Sequence, residues 1–247
     1  MRTENTVSGK ITEAALYLYV IFFPISKALI EITFTVALLA WLTSKWEKRE
    51  IPKLPWNAAA MFLYAFIVLS VLSVFVSGYP VQSLRGIGKF GEEILLFVMV
   101  YDTFRTREKL RRLMAVGFVV FLAILVDTLF QYAIGRDFFR RMDLSYVGTN
   151  IRLTGPFNNH ALFAAFLIAW LSNALALCWG PSRLAKKERV FLFLLFLLGM
   201  FCMFHTQARS AWLSLAAALA FLALIQRQKW ILAGLALAAA LALAVLP

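Results

Sequence analysis

Two arginines stand apart from the other basic residues by their surroundings. Arg152 lies in Ile151-Arg152-Leu153-Thr154-Gly155-Pro156-Phe157-Asn158-Asn159-His160, which opens one apolar segment. Arg209 lies in His205-Thr206-Gln207-Ala208-Arg209-Ser210-Ala211-Trp212, which joins two others. A guanidinium presents a planar fork of donors that grips two phosphate or carboxylate oxygens at once. The chemistry open to such groups is anion recognition and stabilisation of charge building on a leaving anion. A Thr-Gly-Pro turn follows Arg152 two residues on, just before an apolar helix. Its expected place is therefore near that helix's positive end, where free N–H groups already attract anions. For Arg209 the competing role is an interfacial arginine that snorkels to the headgroups. Its short connection, with Gln207 and Ser210 as neighbours, favours a compact polar knot.

A second polar set is Arg85, Lys89, Glu92 and Glu93. Offsets of four and of seven or eight place them on one helical face, a stripe that either lines a cavity or pairs internally. Asp127, with Gln131 one turn later, is expected to pair with an outer arginine, proton acceptance being its other role. His160 is placed to cap a helix or to bond a substrate, and His205 to anchor at an interface. Both have the intrinsic pKa of a general base, but neither has a carboxylate close in sequence. His160, His205 and Asp127 are thus the candidates for proton transfer, with the base itself unassigned. Arg136, Arg140 and Arg141, beside Asp137 and Asp143, read as solvated pairs of small energetic weight.

The elements that must position these residues are helices in a membrane. The chain of 247 residues is 62% hydrophobic, carries 15% charged residues and has a mean hydropathy of +0.79. Water-soluble domains carry about 25% charged residues. Apolar runs approaching the roughly 20 residues needed to cross a bilayer recur along the chain. Nine are legible: 11–23, 28–43, 57–76, 87–104, 114–134, 161–179, 190–205, 211–225 and 230–246. The fold class is all-α, a polytopic transmembrane bundle forming one integral membrane domain over 1–247. Pro24 leaves open whether the first two runs are two helices or one kinked helix.

Cytoplasmic loops carry the excess of Lys and Arg. With the N-terminus cytoplasmic, 17 of the 25 basic residues fall inside, and Arg152 and Arg209 fall outside, against the bias. An anion bound at the outer face, such as a lipid-linked diphosphate, is the reason such placement suggests. The net charge of +12 then reads as a topology signal with attraction to membrane lipids, and nucleic acid is not an expected partner. Cys178 and Cys202 both lie in apolar segments and read as packing residues. The sequence has no Gly-x-Gly-x-x-Gly following a strand, no phosphate loop ending in Gly-Lys-Ser or Gly-Lys-Thr and no metal-binding spacing, so no metal site and no cofactor are expected.

The Arg-x-Thr-Gly-Pro-Phe turn at 152–157, followed about fifty residues later by Thr-Gln-Ala-Arg-Ser-Ala-Trp at 206–212, resembles the O-antigen ligase and O-antigen polymerase superfamily of bacterial envelope enzymes. The resemblance extends over most of the chain. It implies that Arg152 and Arg209 bind the diphosphate of an undecaprenyl-linked glycan donor at the periplasmic face of the inner membrane. It also implies glycan transfer to a lipid A core sugar, as in a ligase. A growing glycan, as in a polymerase, or a protein hydroxyl, as in an oligosaccharyltransferase, is the acceptor in the alternatives. Members of that superfamily continue into a large external loop bearing a catalytic histidine, so the chain is expected to be the N-terminal part of a longer architecture, without transfer activity alone. Relatives often show asparagine at the position of His160, which weighs against it as the base. A transporter or flippase for an anionic lipid-linked substrate is the alternative from another class.

Cysteine labelling tests the topology. Residues 45–53, 105–112 and 183–189 are expected to react from the cytoplasm and 136–158 from outside; cytoplasmic labelling of 136–158 would remove the geometry on which an outer anion site depends.

Overall fold

The computed structural model describes residues 6–52, 54–147, 150–179 and 184–225. Eight α-helices occur among them: α1 (Val7–Phe22), α2 (Lys27–Lys48), α3 (Ala58–Val76), α4 (Pro80–Thr103), α5 (Arg107–Ile134), α6 (His160–Trp179), α7 (Lys186–Thr206) and α8 (Arg209–Ile225). Each coincides with one of the expected apolar segments, and the ninth, 230–246, lies outside the described residues. The all-α expectation needs one correction. Between α5 and α6 an antiparallel hairpin pairs β1 (Ser145–Val147) with β2 (Asn150–Arg152), Ser145 lying opposite Arg152. Strands of three residues are too short for an alternating pattern to register in sequence.

Four helices, α2, α5, α6 and α7, are long and apolar enough to cross a bilayer, which marks a membrane protein. α3 and α8 are apolar but offer shorter stretches. α4 has 24 residues but carries Arg85, Lys89, Glu92 and Glu93 in mid-helix, and these lower its hydropathy. Pro24 separates two helices and does not kink one: α1 ends at Phe22, where Ile25 N–H closes a turn onto the Phe22 carbonyl at 2.9 Å. α1 and α2 then pack as an antiparallel pair. Ser8 Oγ near the start of α1 donates to Glu47 Oε1 near the end of α2 at 3.0 Å.

Packing falls into two units that part within α5, the first ending at Gly117 and the second beginning at Phe118. The first unit buries Leu16, Ala37, Trp41, Val98, Met99 and Phe104 in one cluster. At one end of this cluster sits Asp102, its side chain 5% exposed. Burying a carboxylate is costly unless donors surround it. Asp102 has three: Lys45 Nζ at 2.6 Å, Trp41 Nε1 at 2.9 Å and the Arg105 guanidinium. Alongside, Lys109 bonds Glu13 at 3.0 Å and ties the start of α5 to α1. In the second unit Phe121, Ile124 and Leu125 of α5 meet Phe163, Leu167 and Leu171 of α6, Met203 of α7 and Leu215 of α8, all buried. α6 and α7 approach closely at Gly199, where a Cβ would stand 2.6 Å from Leu171 Cδ2. Small residues at such crossings let helices in lipid gain dispersion contacts.

Removing the Asp102 carboxylate strands Lys45, whose side chain is only 11% exposed. Breaking a buried pair in this way costs about 3 kcal/mol or more. Asp102→Ala is therefore expected to lower the melting temperature in detergent by at least ~6 °C, at roughly 2–4 °C per kcal/mol. Glu108→Ala, which removes the exposed partner of Arg112, should shift it by less than about 3 °C. Indistinguishable melting of the two variants would contradict this assignment.

Candidate anion-binding site

The two motifs carrying Arg152 and Arg209 are joined through their backbones in the second unit. Leu153 N–H donates to the His205 carbonyl at 2.9 Å, and Gln207 Nε2 donates to the Ile151 carbonyl at 3.2 Å. The residues on either side of Arg152 are thus fastened to the residues on either side of Thr206, where α7 ends. Gln207 adopts the left-handed conformation, φ 54°, which a residue with a side chain seldom takes without compensation. Its amide bond to Ile151 supplies part of that compensation. Two residues later Arg209 opens α8, exposed, with no side-chain hydrogen bond or ion pair among the described residues.

The segment beyond Arg152 is held by α5. Gln131 is fully buried, and a carboxamide in that setting must find partners for both ends. Its Oε1 accepts from Gly155 N–H at 2.9 Å and from Thr154 N–H at 3.4 Å. Its Nε2 donates to Thr154 Oγ1 at 3.2 Å and to the Met142 carbonyl at 3.3 Å. Gly155 has φ +52°, and a Cβ there would lie 2.7 Å from the hydroxyl of Thr128, also on α5 and fully buried. Both the backbone angle and the space demand glycine. Phe157 then stacks on Phe163 at 5.6 Å, fixing the turn on α6.

The loop after α5 closes on two carboxylates. Asp137, 1% exposed, accepts the N–H groups of Arg140, at 2.7 Å, and of Met142. Asp127 Oδ1 accepts Phe138 N–H at 2.7 Å. The expected pairing of Asp127 with an arginine is therefore corrected: a backbone amide takes that place, because the loop folds back over the end of α5 and brings its N–H groups to the carboxylate. Arg136 does form the expected solvated pair, with Asp143 at 2.9 Å.

Two buried polar atoms in this unit have no hydrogen-bond partner among the described residues and belong to candidate residues: Arg152 Nε and Asp127 Oδ2. An unsatisfied buried group costs about 1–3 kcal/mol, so a guanidinium held this way is poised to gain from an incoming acceptor. His160 lies within electrostatic reach of Arg152. It does not cap α6; Asn159 does, its Oδ1 accepting Ala161 N–H at 2.8 Å. Arg152 sits on strand β2, with the Thr154–Phe157 turn between it and the start of α6. His205 is half-buried among the rings of Phe201 at 4.7 Å, Tyr132 at 5.0 Å and Phe204 at 5.4 Å, and its carbonyl anchors Leu153. That is a positioning role.

The stripe on α4 is not internal. Lys89, Glu92 and Glu93 are all exposed, and none lines the apolar pocket of about 200 Å³ between α3 and α4. The Arg85 side chain lies outside the described residues. The stripe faces outward because glycine and apolar residues, among them Ile87, Gly91 and Ile94, form the inner face of α4 against α3. Cys178 and Cys202 are free and buried. No group of three or more His, Cys, Asp or Glu side chains able to hold a metal ion occurs among the described residues. No protein-family model, curated protein or solved structure matches the chain.

The sequence pattern did not mark Thr128, led to Asp137 being read as part of a solvated pair although it is buried, and undervalued Gln131. The available signal was Asp127, Thr128 and Gln131 at i, i+1 and i+4, one polar face on an otherwise apolar span. Gly155→Ala combines left-handed strain of roughly 1–2 kcal/mol with overlap on Thr128, so it is expected to lower the melting temperature by several degrees. Gly91→Ala, with open space at its Cβ, serves as the control and should leave it unchanged. A Gly155→Ala protein that melts like wild type would mean the turn is not built as described.

Proposed function

We propose that this chain is the membrane part of a glycan-transfer enzyme of the O-antigen ligase type, acting on an undecaprenyl-diphosphate-linked donor at the periplasmic face of the bacterial inner membrane. The observation that carries the proposal is Arg152: a guanidinium with a buried, unpartnered Nε, on a strand bonded at both flanking residues to the connection that leads into Arg209. Bonds to Gln131 and the Gly155 turn preorganise it. In a site of low dielectric, donors fixed before the reaction stabilise a developing anion far better than mobile ones do.

The step balances simply. The acceptor's hydroxyl oxygen bonds to the anomeric carbon of the donor's first sugar, and the bond from that carbon to the diphosphate oxygen breaks. The electron pair leaves with undecaprenyl diphosphate, whose added charge Arg152 and Arg209 neutralise. The acceptor's proton passes to a general base, a role this reading assigns to no residue named above. Asp127 and His205 serve the scaffold in this scheme, through Phe138 N–H and Leu153 N–H respectively.

The test uses the intact enzyme in membranes with donor and acceptor supplied. Lysine keeps the charge but loses the planar fork, so Arg152→Lys is expected to reduce kcat on the order of a hundredfold, the scale for loss of one oxyanion donor. Arg209→Lys should fall similarly, and the double variant should lose less than the product of the single effects if both arginines hold one diphosphate. Arg136→Ala, whose side chain is exposed and paired with Asp143, should retain activity. Wild-type turnover in both lysine variants at matched expression would sink the proposal.

A further inference from the structure

The first unit contains a pocket that the proposed transfer site does not use. It has a volume of about 660 Å³ and lies where α4 ends and α5 begins. Its walls are Phe97, Val100 and Tyr101 of α4, Phe104 of the link, Leu110 of α5 and Leu54 of the loop before α3, with Arg105 at the lip. Small-ligand sites span roughly 300–1,000 Å³, lined by apolar groups with a few placed polar ones. This pocket meets that description: one guanidinium and one phenol among apolar side chains. Leu54, Tyr101 and Leu110 are each 43–49% exposed, an apolar surface that wants a cover.

Arg105 is the informative residue. Its side chain is 42% exposed, and it bonds Asp102 through Nη2, as an oriented group with further N–H donors to offer. Asp102 is itself locked by Lys45 and Trp41, so the guanidinium is aimed by a buried network and not by its own flexible stem. An aimed arginine beside an apolar pocket at a helix end, in a protein with membrane-crossing helices, has the chemistry of a lipid site. A hydrocarbon chain fills the space against Phe97, Val100 and Leu110, while an anionic headgroup meets Arg105 and the Tyr101 hydroxyl. Basic residues crowd this end of the first unit, with Lys48 and Arg49 closing α2 and Arg107 opening α5. That excess selects a negatively charged lipid over a zwitterionic one.

We infer that the pocket between the end of α4 and the start of α5 is a specific site for an anionic phospholipid, its phosphate held by Arg105 and one acyl chain held by the Phe97–Leu110 wall. The occupant is a bilayer lipid and not a soluble anion, because one guanidinium and one phenol are the polar groups among seven lining residues.

The intact protein is reconstituted in phosphatidylcholine nanodiscs containing a trace of phosphatidylglycerol, or of phosphatidylcholine, with a photoactivatable acyl chain. Phosphatidylglycerol is expected to label the 97–110 region several-fold more than the phosphatidylcholine probe does. Leu110→Trp, which narrows the pocket without touching the charge, should reduce labelling there while leaving labelling of the apolar 60–76 stretch unchanged. Arg105→Gln should keep chain labelling but lower the ratio between the two probes, leaving only the part set by the surrounding basic residues. Equal labelling by both probes in the wild type, or undiminished labelling in Leu110→Trp, overturns the site. Since no activity is measured, these outcomes are independent of glycan transfer.

Discussion

The carboxamide of Gln131 is the fixed point of the second unit. It is one side chain on α5, fully buried, yet its four hydrogen bonds reach both loop stretches that flank the β1–β2 hairpin. In an apolar surrounding an amide must satisfy both its donor and its acceptor end, because neither lipid nor core can do so. That requirement turns a cost into a constraint. Met142 is drawn to one end and Thr154–Gly155 to the other. The stretch between them has its span set from both sides, and the hairpin that ends at Arg152 is the fold it adopts. The Leu153 bond to His205 and the Gln207 side-chain bond to Ile151 then carry the chain of contacts from α5 through β2 to the α7–α8 connection.

The helices were legible in sequence because the length of an apolar run is a physical quantity that the bilayer or the core demands. Eight segments between residue 11 and residue 225 reappear as α1 to α8, with ends that differ by a few residues where caps decide. Asn57, for instance, caps α3 through Ala60 N–H at 2.8 Å, so the helix begins where its side chain can reach. The candidate site was legible only in outline. Arg152 and Arg209 could be picked out by position, but their connection runs through backbone groups, which every residue possesses and no pattern marks. Glycine at 155 was visible as a turn signal; that Thr128 makes it obligatory was not. The α4 stripe misled for the opposite reason. Helical spacing places charges on one face without saying which face packs, and on α4 the packed face is the one with Gly91 and Ile94.

Asp102, a buried carboxylate, and Arg152, a half-buried guanidinium with a buried Nε, illustrate two settings for a charge. Asp102 is surrounded by donors of three kinds, two of them cationic, and nothing more can be added to it at a profit. Such a group holds a fold together. Arg152 is the reverse case: its strand is tightly held, while Nε is left short of an acceptor. Under the proposed function that donor is a reserve for an incoming acceptor, and for a guanidinium the best acceptor is a group with two anionic oxygens.

Rigidity decides whether that reserve is useful. A guanidinium on a mobile loop would reorganise as charge develops and lose much of its advantage, whereas one on a pinned strand does not. Of the five positive-φ residues among those described, Gly155 (φ +52°) and Gln207 (φ 54°) lie within three residues of the two arginines, Gly135 (φ +87°) and Arg141 (φ 56°) lie in the loop whose amides Asp137 collects, and Arg49 (φ 49°) ends α2 in the first unit. Left-handed residues are tolerated where the surroundings over-determine the backbone. Here the surroundings are the polar face of α5: Asp127 and Gln131 bond the loop amides, while Thr128, its hydroxyl bonded to the Ile124 carbonyl, limits the space at Gly155. An α5 that served only to pack in a bilayer would carry leucine at all three positions. That it carries an acid, a hydroxyl and an amide, each touching a loop backbone or a turn glycine, is best explained if the geometry of the loops, and so of Arg152, is what the helix is there to maintain.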